Sequence, residues 1–150
     1  MDDFEKSQKE KKVFETLFGT SGPSEAPLDE FTTHYLYQEI WTRPILSVSE
    51  RSMITIAVLA ALGRDRELTR HIEGALNIGT SRERINEMMI QIAHYAGWPA
   101  GHNGQCIATE QYQKTPTARQ LQVLEEAGRV SQETLTRGEA ADLIAELRAG

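Results

Sequence analysis

Apolar residues recur at helical spacing through most of the chain. Strict alternation of apolar and polar residues, the mark of a half-buried strand over roughly four to eight residues, is missing. Val13, Leu17 and Phe18 follow a lysine-rich stretch and predict a first helix over 5–18, and the Gly/Ser/Pro-rich segment 19–27 reads as a loop. Phe31, Tyr35, Leu36 and Ile40 predict a helix over 28–41 that Pro44 breaks. Ser47 with Glu50 three residues later is a capping-box pattern opening the next helix, which runs through the apolar segment 53–62 and stops at Gly63. Being apolar on nearly every side, it is expected to be the central buried helix.

Residues 65–77 form the following helix, with Gly79 as its stop. Thr80 and Glu83 repeat the capping-box spacing and open a helix over 81–96, whose face is Ile85, Met88, Met89, Ile92 and Tyr95. Gly97 ends it, and Pro99 suits the first turn of another helix reaching 113. Pro116 marks a boundary. Beyond it, Leu121 and Leu124 predict one short helix ending near Gly128, and Ala140, Leu143, Ile144 and Leu147 predict a second. Such a hairpin is too small to be stable alone, so it docks on the main body, docks on a partner chain, or stays loosely ordered. The reading is all-α, with a domain over 1–114 and a helical hairpin over 115–150.

Composition narrows the function classes. With 150 residues, 39% hydrophobic residues and 11 glycines, the chain can bury one real core. A net charge of −6 argues against nucleic-acid binding through a general phosphate-attracting field. The single cysteine, Cys106, excludes an intrachain disulfide and any Cys-x-x-Cys pair. The longest apolar run, 53–62, is interrupted by Thr55 and is about half the length that a bilayer requires. The N-terminal stretch mixes acids and lysines without an apolar segment, unlike a secretory signal, so a cytoplasmic location is expected.

Candidate chemistry falls between Trp41 and Cys106. Glu67 and His71 are four apart on one predicted helix and share a face. A carboxylate there can orient the imidazole and raise its pKa, which suits a proton donor. Surface Glu/His pairs at this spacing are also common. Arg51, opening an apolar helix, and Arg43, just before a proline, could each clamp a carboxylate, or simply cap helices and pair on the surface. The stretch from His94 through Tyr95, Gly97, Trp98 and Pro99 to His102 packs two histidines and two aromatics around a helix break, and such corners tend to line pockets. His94 and His102 match no standard metal-ligand spacing, so no metal site is expected. Cys106 is most simply a small apolar residue, with a thiolate activated by His102 as the alternative.

Taken in order, these segments resemble the carboxymuconolactone decarboxylase family. The resemblance rests on Glu39-Ile40-Trp41-Thr42-Arg43-Pro44, on Arg51 ahead of the apolar 53–63 helix, and on Glu67-Leu68-Thr69-Arg70-His71. It continues through Ala75 to Gly79, Ile85-Asn86-Glu87, and Tyr95 to Ala100. It implies an all-helical bundle that assembles into homo-oligomers, commonly trimers or hexamers, with sites near subunit contacts. Related alkylhydroperoxidases carry a Cys-x-x-Cys pair where this chain has Arg64 and Glu67, so their disulfide cycle is excluded here.

The decarboxylase branch implies cofactor-independent loss of CO2 from a carboxylated lactone such as γ-carboxymuconolactone, in the protocatechuate branch of aromatic degradation. On that reading His71, Glu67 and Arg51 are catalytic. Arg43, Trp41, Tyr95, Trp98 and His102 contact the substrate, and neither a cofactor nor a metal is required. Two departures stand out: Cys106 occupies about the place where the family has a histidine, and 116–150 lie beyond the usual decarboxylase end. Two other readings stay open. The scaffold could serve other small-molecule or peroxide-linked chemistry through Cys106, or a non-catalytic binding or assembly role in which the hairpin docks.

Overall fold

In the computed structural model, residues 13–19, 28, 31–129 and 134–149 are described, with the backbone alone at 33 and 34. Residues 5–12 of the expected first helix and 20–27 of the expected loop lie outside them. Residues 13–18 are helical, and a π-helical segment, Thr32–Ile40, precedes six α-helices. These are α1 (Val48–Ala61), α2 (Asp65–Asn77), α3 (Arg82–Ala96), α4 (Trp98–Tyr112), α5 (Ala118–Glu126) and α6 (Arg137–Ala149). Among the described residues there is no strand, so the all-α reading holds. No described helix is long and apolar enough to cross a membrane.

The core forms where α1 to α4 meet, around Ile56, Leu68, Ile72, Leu76, Ile85 and Met89, all essentially inaccessible to solvent. The α3–α4 pair is close because of Gly101. A Cβ there would stand 2.6 Å from Ala93 Cβ and 2.8 Å from Met89 O, so a larger residue would push the helices apart. Helix starts follow local rules. Ser47 and Glu50 make both bonds of the capping box on α1, and the predicted proline sits in the first turn of α4. On α3 the cap is one residue later than the spacing predicts. Ser81 Oγ accepts from Arg84 N, while Thr80 Oγ1 is buried with no partner among the described residues.

Two other expectations change. The helix α1 is not buried all round: Ser52, Ile56 and Ala60 face the core, whereas Ile54, Val58 and Leu62 are each at least half exposed. Those three residues, spaced four apart, form an apolar stripe that nothing among the described residues covers. The segment before Pro44 also turns a different face inward. Phe31 and Tyr35 are exposed, while Tyr37 and Trp41 are buried. The reason is the wider turn of a π-helix, seen where Trp41 N donates to Leu36 O across five residues at 2.9 Å.

Of the three fates open to the hairpin, docking on the main body is the one observed. The α5 and α6 helices share a small core of Leu124, Ala140 and Ile144, and α6 packs against α2, α3 and α4. Gly79 holds φ at +71°, and a Cβ on it would stand 2.5 Å from Ile144 Cγ2, so this turn needs glycine both for conformation and for room. Polar bonds fix the seat. Arg137 Nη1 donates to Glu73 Oε2 at 2.8 Å and Gln111 Oε1 at 3.0 Å, and Arg82 grips Asp142 through both N and Nε. The fully buried Gln120 donates to Leu76 O and Arg137 O. Gln111, Gln120 and Arg137 are buried, so removing a partner of theirs leaves a desolvated orphan.

Candidate active site

The α2 helix presents His71 to an aromatic cluster rather than to water. Its ring lies 5.5 Å from Phe18, edge to face, and 6.2 Å from Trp41, near-parallel at 27°. Tyr37 bridges Phe14, Phe18 and Trp41 in the same cluster. Burial pulls the imidazole from its ordinary 6.5 down to about 4. The Arg70 guanidinium adds to the fall and the Glu67 carboxylate opposes it. Glu67 therefore does not dominate as the i, i+4 spacing implies: it is exposed on α2, and His71 is neutral at pH 7.

His71 Nδ1 is buried with no hydrogen-bond partner among the described residues. Leaving such an atom unpaired costs roughly 1–3 kcal/mol, and native proteins seldom tolerate this away from functional sites. Arg51 Nε and the hydroxyl of Ser52 are in the same condition on the neighbouring α1. Arg70 is laid along the outer side of the cluster, its guanidinium carbon 4.5 Å from the Phe18 ring centre.

Trp41 is common to the His71 cluster and to a cleft of about 510 Å³ whose lining includes Arg43, Pro44, Leu46 and the first turn of α1. Arg51 braces this wall, since its Nη2 donates to Arg43 O at 3.0 Å. The loop 41–44 thus joins four sequence-predicted residues: Trp41 and Arg43 line the cleft, while His71, stacked on Trp41, and Arg51, bonded to Arg43 O, stand behind them and are not among its lining residues. This arrangement suits a small anionic molecule with an electrophilic oxygen. Guanidinium groups would hold carboxylate, apolar walls would strengthen that attraction, and a neutral N–H could polarise a carbonyl.

The other predicted residues gather elsewhere, at the α3–α4 corner. Tyr95 is 85% exposed and Trp98 is 71% exposed, with the Trp98 ring 5.7 Å from His94. His94 Nδ1 is occupied by Ile90 O at 2.8 Å. His102 Nδ1 and Cys106 Sγ are 3.6 Å apart on the exposed side of α4, the pairing that the spacing allows. No contact among the described residues links this corner to His71. Among them, too, no three His, Cys, Asp or Glu side chains cluster as a metal site would require.

Sequence reasoning missed Phe18, Tyr37 and Arg148. Phe18 and Tyr37 complete the histidine's surroundings, and Arg148 lines the cleft from α6. An aromatic run near Trp41 is a weak signal for Tyr37. Nothing in the sequence pairs Arg148 with a turn 70 residues earlier.

The sequence matches the carboxymuconolactone decarboxylase family over residues 26–104, just over half of the chain. It is 38% identical over 80 residues to the 4-carboxymuconolactone decarboxylase of Acinetobacter baylyi, covering 53% of this chain and 60% of that protein. It is 29% identical over 86 residues to the nitrosuccinic acid decarboxylase of Metarhizium robertsii, covering 57% of this chain and 60% of that protein. The chain thus spans less than two thirds of the length of these relatives. His71, Trp41, Arg43 and Arg51 all lie inside the family match, and α5 and α6 lie outside it.

Proposed function

The chain belongs to the carboxymuconolactone decarboxylase family, and on that premise we propose that it is a cytoplasmic, cofactor-independent decarboxylase of a small carboxylated lactone or a close analogue. γ-Carboxymuconolactone, an intermediate of aromatic breakdown, is the first candidate. The observation that carries the reading is the neutral, partly buried imidazole of His71, its Nδ1 buried and unpaired among the described residues, stacked on the Trp41 that also lines an arginine-bearing cleft. The two named relatives favour one chemical logic. In each named acid a carboxylate can leave its electron pair on a group of the substrate itself: an unsaturated lactone in one, a nitro group in the other.

For the lactone, the bond from the γ carbon to the carboxylate breaks and CO2 departs. The electron pair moves through the ring double bond to the lactone carbonyl oxygen. A proton then adds to the carbon next to that carbonyl, giving the enol-lactone. His71 in its neutral form donates a hydrogen bond to the oxygen as charge grows there. It does not supply the proton for carbon, because a neutral imidazole would be left as an anion; water supplies it. Arg43, with Arg51 bracing its backbone, holds a carboxylate against the apolar wall. Glu67 tempers the depression of the His71 pKa without reversing it.

The exposed residues enter this reading as an assembly surface. Ile54, Val58 and Leu62 on α1, with Tyr95 and Trp98 at the α3–α4 corner, are apolar area that a monomer would leave wet, which favours a homo-oligomer of trimer or hexamer type. One observation keeps a second reading: the 3.6 Å approach of Cys106 Sγ to His102 Nδ1 would suit thiol chemistry, though with no second cysteine to close a disulfide.

Incubating the purified chain with γ-carboxymuconolactone and following CO2 release separates these readings. Turnover that survives Cys106→Ser and collapses in His71→Gln supports decarboxylation at His71. Absence of turnover at high enzyme concentration overturns this substrate, and loss on Cys106→Ser moves the chemistry to the thiol.

A further inference from the structure

The last turn of α6, which lies outside the family match, contributes Arg148 to the lining of the cleft beside Trp41. Two of its lining residues are charged, and both are arginines: Arg43 from the loop before α1 and Arg148 from the last turn of α6. Among the described residues no acidic side chain lines it, in a chain carrying 22 acidic residues and a net charge of −6. Glu50, on the first turn of α1 whose start lines the cleft, is engaged by the N and Oγ of Ser47. Another cleft, of about 590 Å³, shows that this is not the general rule, since Glu15 and Glu73 line it together with Arg119.

Arg148 is also held in place. Its Nη1 donates to Ile78 O at the end of α2, which anchors one edge of the guanidinium and leaves other N–H donors at the cleft. The remaining walls are largely apolar, including Trp41, Leu46 and Ile78. An apolar wall raises the worth of each charged contact, and two cations facing one space, one of them anchored, suit two anions rather than one.

We propose that Arg148 is a specificity-determining residue, binding the second carboxylate of a dicarboxylate substrate whose first carboxylate is held by Arg43. The proposal rests on the decarboxylase reading for the word substrate, but dicarboxylate binding itself does not. The C-terminal hairpin thereby acts as part of the binding site: by docking α6 on α2 it brings one anion-binding group to a cleft that the family domain forms with the other.

Calorimetric titration with succinate, and with butyrate as the single-carboxylate control, tests this without turnover. The full chain, Arg148→Met and Arg148→Lys are compared, with melting temperatures as the check on folding. The expected result is that Arg148→Met weakens succinate binding about 10-fold and brings it close to butyrate, while Arg148→Lys restores part of the difference. Butyrate affinity and melting temperature should barely move. Equal succinate affinity in the full chain and Arg148→Met, including binding by neither, overturns the proposal, as does an equal loss for both acids. Arg148-dependent succinate binding without decarboxylation of any lactone would instead overturn the decarboxylase reading and leave this one standing.

Discussion

Two regions of this chain carry histidine and tryptophan side by side, and they differ in what water can reach. Around His71 the ring is enclosed by Phe18 and Trp41, its Nδ1 is unpaired, and burial keeps it neutral. Around His94 and His102 the aromatics stand in solvent, and each Nδ1 faces an atom of its own helix. Residue types alone make the second region look richer, with two histidines, two aromatics and a thiol. The physical difference reverses the ranking. An unpaired polar atom in a desolvated place holds free energy that a ligand can release, whereas solvated groups are already satisfied.

The contrast is most exposed to failure in turnover. His71→Gln keeps a polar side chain of similar reach but loses the imidazole, and kcat should fall by about 100-fold or more with the helical circular dichroism unchanged. A fall below about threefold would erase the distinction between the two regions.

Stability offers the next comparison. Trp41 is buried in the aromatic cluster, so Trp41→Ala should cost about 3 kcal/mol in urea unfolding. Trp98→Ala removes a ring that is mostly in water and should cost less than about 0.5 kcal/mol in the monomer. If Trp98 proves the costlier loss, and the cost grows with protein concentration, that surface is covered by a second copy.

A pH series separates the histidines by sign. His71 is depressed from 6.5 to about 4 in the folded chain, so between those values the unfolded chain binds the proton and the folded one does not. Its contribution to stability is present above 6.5 and is lost as pH falls toward 4. Replacing the ring by His71→Phe should flatten this part of the stability profile, measured by urea midpoints at each pH. A profile as steep as the parent's would show that His71 is not the group responsible. The smallest effect expected is for Cys106→Ser, which should leave turnover within about twofold.

Much of this arrangement is written locally. The capping box of Ser47 and Glu50, the helix ends at Gly63 and Gly79, and the proline of α4 depend on neighbours within a few residues, and their positions are legible in the sequence. The residues of the site are partly legible too: Arg51 opens an apolar helix, and Glu67 and His71 fall four apart on one helix face. What is not legible depends on long-range packing. The π-helical turn that sends Tyr37 and Trp41 inward changes a face without changing composition. The protonation state of His71 follows from enclosure by Phe18 and Trp41, which are 53 and 30 residues away along the chain. Arg148 reaches the cleft only because Gln120, Arg137 and Asp142 seat the hairpin.

The central claim is that His71 acts as an uncharged hydrogen-bond donor at neutral pH. Nitrogen-15 NMR of the imidazole side chains, with the His71 signals assigned by their loss in His71→Gln, measures its charge directly. The account predicts a ring that stays neutral down through pH 5 and titrates near 4. A midpoint at or above about 6, the range of an ordinary solvent-exposed histidine, would contradict it.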